Sequence, residues 1–86
     1  MEYILSKRFE KQFTKLPKSV KRKAVNAFEV FVQDPSDQSL RTHELAGRWH
    51  GYWSIDITGN YRAVYTHVDE QVVRFVAIGT HSELYG

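Results

Sequence analysis

Eighty-six residues allow a single domain, 1–86. A chain of this length buries only about 60–65% of its unfolded surface, so it has one small core and no room for a second lobe. Cysteine is absent, which excludes a disulfide framework and any thiolate nucleophile or metal ligand. The net charge of +2 hides a division: eight of the twelve Lys/Arg lie in residues 1–23 against Glu2 and Glu10. Residues 24–86 are correspondingly acidic.

Glu2–Leu5 is a short strand candidate. From Ser6, a suitable N-cap, the pattern turns helical, with Phe9, Phe13 and Leu16 on one stripe. Pro17 punctuates and can open a second helix. There Val20, Ala24, Ala27, Phe28 and Phe31 repeat at helical spacing through Gln33, and Asp34-Pro35-Ser36-Asp37 ends it. The two segments predict a helical hairpin with an apolar inner face. Its outer rim is basic: Lys7, Arg8, Lys11, Lys15, Lys18, Lys21, Arg22 and Lys23. Such a local positive field suits a polyanion or an acidic partner.

The second half alternates at strand period. Over Trp49–Ile57, Trp53, Ile55 and Ile57 share one face, and Tyr52, Ser54 and Asp56 the other. Thr58-Gly59-Asn60 is a tight turn, Tyr61–Thr66 the next strand, Asp69-Glu70 a second turn and Gln71–Ile78 a third strand. Gly79 is expected to interrupt that strand and leave His81–Gly86 as a tail. The order β-α-α-β-β-β predicts an α+β fold, with the helical hairpin packed on an antiparallel sheet. The helices should cover one sheet face and leave the other partly open.

The polar residues of the open face set the chemistry. Four histidines can exchange protons near neutral pH, but none has metal-ligand spacing, so no metal or other cofactor is expected. Arg62 interrupts an apolar strand and must face solvent, a carboxylate such as Asp56, or a bound phosphate. Gly47-Arg48-Trp49-His50-Gly51-Tyr52-Trp53 mixes cations with aromatics, which suits single-stranded RNA and makes Arg48 and His50 contact candidates. No phosphate-binding glycine loop, nucleophile elbow or zinc-protease motif occurs. A small metal-free site of His, Arg, Tyr and Asp fits RNA cleavage, because the RNA 2′-hydroxyl provides the nucleophile. No apolar run is long enough to span a membrane, and the N-terminal stretch has no signal-peptide shape. The expected setting is cytoplasmic.

Several segments resemble a known superfamily in their order along the chain. They are Ser6–Phe13, Leu45-Ala46-Gly47 with Gly51-Tyr52, Asn60-Tyr61-Arg62-Ala63-Val64-Tyr65, and Gly79-Thr80-His81-Ser82-Glu83-Leu84-Tyr85-Gly86. Together they resemble the RelE/ParE toxins of bacterial type II toxin–antitoxin systems, and the Gly-Thr-His tail is most similar to the YafQ branch. The resemblance implies a toxin that enters the ribosome and cuts mRNA there, inhibited by a cognate antitoxin in a hetero-oligomer. It implies an acid/base role for His81 and His43, phosphate stabilisation by Arg62 and substrate positioning by Tyr85. The chain departs from YafQ-like toxins at Asp56, where they carry histidine, and at Asn60, where they carry aspartate. Asp56 then stands beside His43 as a candidate base. The basic helices are expected to dock on ribosomal RNA, away from the cleavage residues. Two other readings remain: a ParE-like toxin acting on DNA gyrase, and a degenerate module that only binds antitoxin.

Overall fold

A computed structural model describes residues 1–86. It contains β1 (Glu2–Leu5), α1 (Lys7–Thr14), α2 (Lys18–Gln33), β2 (His43–Glu44), β3 (Trp53–Asp56), β4 (Tyr61–His67), β5 (Val72–Thr80) and α3 (His81–Tyr85). The five strands form one sheet in the order β1-β5-β4-β3-β2. The α+β class and the helical hairpin agree with the sequence. Strands β3 to β5 are antiparallel as expected; β2 is an additional edge strand, antiparallel to β3, and β1 joins β5 in parallel, Glu2 opposite Val72 through Leu5 opposite Phe75, so the sheet is mixed.

The part of the β5 edge that β1 leaves uncovered is closed by two devices. Beyond Leu5 the chain leaves β5, and α1 takes over the remaining edge. Ser6 donates its N–H to Phe75 O (3.0 Å) and its hydroxyl to Val76 O (3.3 Å), while its Oγ caps α1 by accepting from Phe9 N. Gln12 Oε1 accepts the Ile78 amide at 2.9 Å. Backbone groups that would otherwise template aggregation are thereby satisfied.

The core lies between the helical hairpin and one sheet face. Phe9, Phe28, Phe31 and Phe75 form an aromatic cluster, with the Phe28 and Phe75 ring centroids 4.7 Å apart and the Phe31 and Phe75 centroids 5.3 Å apart. Tyr3 and Tyr65 extend it from β1 and β4. Offset and edge-on aromatic pairs of this kind each add about 0.5–1.5 kcal/mol beyond burial.

Three boundaries differ from expectation. The strand predicted over Trp49–Ile57 begins only at Trp53, because Gly47–Trp49 forms a 3-10 turn flanked by Gly47 (φ 64°) and Gly51 (φ 90°). Positive φ at both glycines turns the chain out of the sheet. Gly79 does not interrupt β5, which runs on to Thr80. Finally, the tail is helical: Thr80 Oγ1 accepts from Glu83 N and Glu83 Oε1 accepts from Thr80 N, a complete capping box.

The second sheet face is half covered. The β4–β5 register passes from Val64 opposite Ala77 to Tyr65 opposite Phe75, skipping Val76. This bulge turns both Val76 and Ala77 toward Leu84 of α3, which packs there with Val64, Leu45, Trp49, Tyr52 and Tyr85. What stays open on this face is the strip over β2, β3 and the start of β4.

Candidate functional site

Register places the polar residues of the open face in two rows. His43, Ser54, Val64 and Ala77 sit opposite one another across β2 to β5. Two residues along, Asp56, Arg62 and Gly79 form the second row, and β5 then runs into His81. The structure therefore brings Asp56, Arg62 and the start of α3 to one end of the sheet.

Arg62 and Asp56 form an ion pair, Nε to Oδ1 at 2.9 Å, with both side chains less than one-fifth exposed. Arg62 Nη1 also donates to Thr58 O at 2.8 Å and Tyr61 O at 3.1 Å. The guanidinium is thus held through both Nε and Nη1 at this end of the sheet.

His81 is exposed at the first position of α3. Its N–H donates to Asn60 O at 3.0 Å, tying the tail to the β3–β4 turn. The imidazole stands edge-on to the Tyr85 ring, centroids 4.8 Å apart. The Tyr85 hydroxyl is buried without a hydrogen-bond partner. Trp49 anchors the other end of α3 by donating Nε1–H to Leu84 O at 3.1 Å. The capping hydrogen bonds from Thr80 hold the Glu83 carboxyl below the usual carboxylate range.

His43 lies on the edge strand β2. Nδ1 is 3.1 Å from Arg41 O and Nε2 is 3.3 Å from Ser54 Oγ. A carbonyl only accepts, so Nδ1 carries the proton, and in the neutral ring Nε2 accepts from the serine. No hydrogen bond or ring contact joins His43 to His81. Ser54, the one fully buried polar side chain of the core, was not singled out by the sequence. Its place opposite His43 depends on the two-residue strand β2, which has no alternation to reveal it.

The basic helices are not wholly separate from this end of the molecule. Arg8 shares a cleft of about 350 Å³ with Arg48, Trp49, Tyr52 and Glu83. Lys15 borders another with Gln12, Tyr61, Gly79 and Glu83. The remaining helix cations Lys7, Lys11, Lys18, Arg22 and Lys23 are exposed, and Lys21 is half-buried. His50 is exposed on the loop after the 3-10 turn. No three His, Asp or Glu side chains cluster in a way that would hold a metal ion. No helix is long and apolar enough to cross a membrane.

A family model described as the ParE toxin of type II toxin–antitoxin systems matches residues 3–85. The chain belongs to this toxin family. Solved structures of similar shape agree with the fold. YafQ from E. coli strain BL21(DE3) superposes with a TM-score of 0.82 at 21% identity, covering 99% of this chain and 98% of that one. The YoeB/ParE toxin from Agrobacterium tumefaciens gives 0.76 at 19% identity, covering 94% and 99%. A chain of the RelBE2 toxin–antitoxin complex from Mycobacterium tuberculosis gives 0.75 at 21% identity, covering 93% and 96%. No curated protein matches the sequence significantly. The toxin's candidate site therefore has to be argued from its own residues.

Proposed function

We propose that this ParE-family toxin is a ribosome-dependent mRNA endonuclease, held inactive by a cognate antitoxin in a hetero-oligomer. The observation that carries this reading is the exposed His81 imidazole, braced on Tyr85 and set at the same sheet end as the Arg62–Asp56 pair.

In the proposed reaction a base removes the proton of an RNA 2′-hydroxyl, and the 2′-oxygen attacks the adjacent phosphorus. The bond from phosphorus to the 5′-oxygen breaks, and His81 protonates that oxygen. Arg62 stabilises the charge of the phosphorane. Asp56 acts as the base, at the His81 end of the sheet. His43, the other candidate, has both ring nitrogens engaged. Tyr85 orients His81 and presents a ring for stacking on a base. The products carry a 2′,3′-cyclic phosphate and a 5′-hydroxyl. The exposed cations of α1 and α2, together with Arg48 and His50, supply contacts to RNA phosphates, and the cytoplasm is the compartment in which ribosomes are met.

Mapping mRNA 5′ ends after induction of wild type and His81→Ala tests this. Cuts that vanish in the variant, and ends that carry 5′-hydroxyl, support it. Ends that carry 5′-phosphate, or undiminished cutting at a 2′-deoxy scissile nucleotide, overturn the mechanism. The ParE name of the family keeps one second reading open, a ParE-like toxin that inhibits DNA gyrase. Toxicity that persists in His81→Ala, with DNA damage and no mRNA cuts, selects that reading.

A further inference from the structure

The far end of β4 carries a cleft that the proposed cleavage does not use. It encloses about 570 Å³ between the loop after α2 and the end of β4, and Met1, Asp37, Arg41, Thr42, Tyr65 and His67 line it. Five residues of β4 separate His67 from Arg62, roughly 17 Å at 3.3 Å per residue. Tyr65 belongs to the core side of the sheet, so the cleft also opens on the opposite face from the Arg62–Asp56 pair.

Three groups of this cleft, the Tyr65 hydroxyl, the Arg41 guanidinium and the His67 ring, have no hydrogen-bond partner within the chain. Tyr65 is only 4% exposed and its ring is fixed against Phe31 and Phe75, so what it offers the cleft is its hydroxyl, which makes no hydrogen bond within the chain. Burial pushes that hydroxyl above the usual tyrosine range, so it remains a donor at neutral pH. Arg41 is exposed and unpaired, the single ion pair of the molecule being Arg62 with Asp56. Its backbone is left-handed, φ 46°, a conformation that costs an arginine about 1 kcal/mol or more. The Met1 ammonium donates one hydrogen bond, to Val32 O at 3.1 Å, and keeps two hydrogens free. His67 stands edge-on to Trp53 and Tyr65, centroids 5.9 and 5.7 Å away, with neither ring nitrogen bonded.

One carboxylate faces these groups. Asp37 Oδ1 accepts from Ser39 N at 2.9 Å and Ser39 Oγ at 2.6 Å, hydrogen bonds that hold its carboxyl below the usual range. Its Oδ2 is unpartnered. The cleft therefore presents two cations, a phenol and an imidazole to an anion, with one acceptor at the side. Planar guanidinium and converging O–H and N–H donors suit the oxygens of a phosphate, and a lone carboxylate oxygen suits a sugar hydroxyl.

We propose that this cleft is a binding site for a small phosphate monoester of nucleotide size, separate from the RNA-cleavage site and independent of that function. The unpartnered hydroxyl of buried Tyr65 is its anchor, and Arg41 carries most of the charge recognition.

The test is a titration of the isotopically labelled full chain, followed by NMR, with adenosine 5′-monophosphate, inorganic phosphate and adenosine in parallel. The nucleotide should shift the His67, Tyr65 and Arg41 resonances to saturation, while adenosine alone leaves them in place. Phosphate saturating at the same concentrations as the nucleotide would name free phosphate as the occupant, and weaker phosphate binding would name the ester. Arg41→Asn, which tolerates the left-handed backbone, should weaken nucleotide binding about tenfold, and Tyr65→Phe about three- to tenfold. Absence of saturation by about 10 mM overturns the proposal. So do shifts confined to Lys7–Lys23, or variants that bind as wild type does.

Discussion

Arg62 and Asp56 meet at 2.9 Å across the β3–β4 hairpin, at directly opposed register positions. The pair is a structural clasp and, in the proposed reaction, part of the cleavage site. Its two functions separate by mutation. Arg62→Ala, Asp56→Asn and the double variant should give a coupling energy of about 1 kcal/mol in denaturant unfolding, the range of a partly exposed pair. Cleavage should fall much further than stability in both single variants, by about 100-fold or more if each group touches the reacting atoms. Equal activity in Asp56→Asn and wild type would return the base role to His43.

The capping box of α3 gives a pH dependence with a definite sign. The Glu83 carboxyl is held below its ordinary range by hydrogen bonds from Thr80. A group depressed in the folded state contributes stability above its unfolded pKa, and that contribution is lost as pH falls through the folded value. Hydrogen-exchange protection of the Gly86 amide, which donates to Ser82 O, should therefore decline on acidification below the carboxylate range. Glu83→Gln should flatten that decline. Thr80→Ala should loosen α3 by about 1 kcal/mol at neutral pH.

Phe31 is fully buried between Tyr65 and Phe75. Truncating such a ring costs about 3–5 kcal/mol. A domain of this length has about 4–13 kcal/mol in total. Phe31→Ala should therefore lower the thermal midpoint by at least about 12 °C, whereas His81→Ala on the exposed tail should melt as wild type does.

Charge reversal on α1 tests the docking role of the helices. Lys11 and Lys15 are exposed. If each neutralises one RNA phosphate, Lys11→Glu with Lys15→Glu should lower ribosome affinity and reduce the slope of log K against log salt by about 2. Circular dichroism should remain unchanged. Unaltered ribosome affinity would remove the helices from the RNA interface.

The architecture was legible where it rests on local periodicity. Phe9, Phe13 and Leu16 mark α1, and the split of Trp53 and Ile55 from Ser54 and Asp56 marks the two faces of β3. The cross-hairpin partner of Arg62 also follows, since a two-residue offset from the Gly59 turn fixes the pairing. Long-range partnerships left no local trace. Nothing in Glu2–Leu5 says that it lies parallel to Val72–Phe75, and two-residue β2 is too short to alternate. The role of Ser54 was hidden with it. The helical tail did carry a signal, Thr80 followed three residues on by Glu83, but five residues show no hydrophobic period. Gly47 and Gly51 hid the late start of β3, because the alternation of side chains continued through a turn that the backbone makes at positive φ.

The parallel seam between β1 and β5 orders events in time. The first strand has no partner until residues 72–75 exist, so some 70 residues must be in place before the sheet can close. Pairing over so long a separation is slow to form. In a chain made from its N-terminus, Ser6 and Gln12 likewise wait for Phe75, Val76 and Ile78, and α3 follows directly on that last strand. The His81 tail is thus presented only as the fold locks shut.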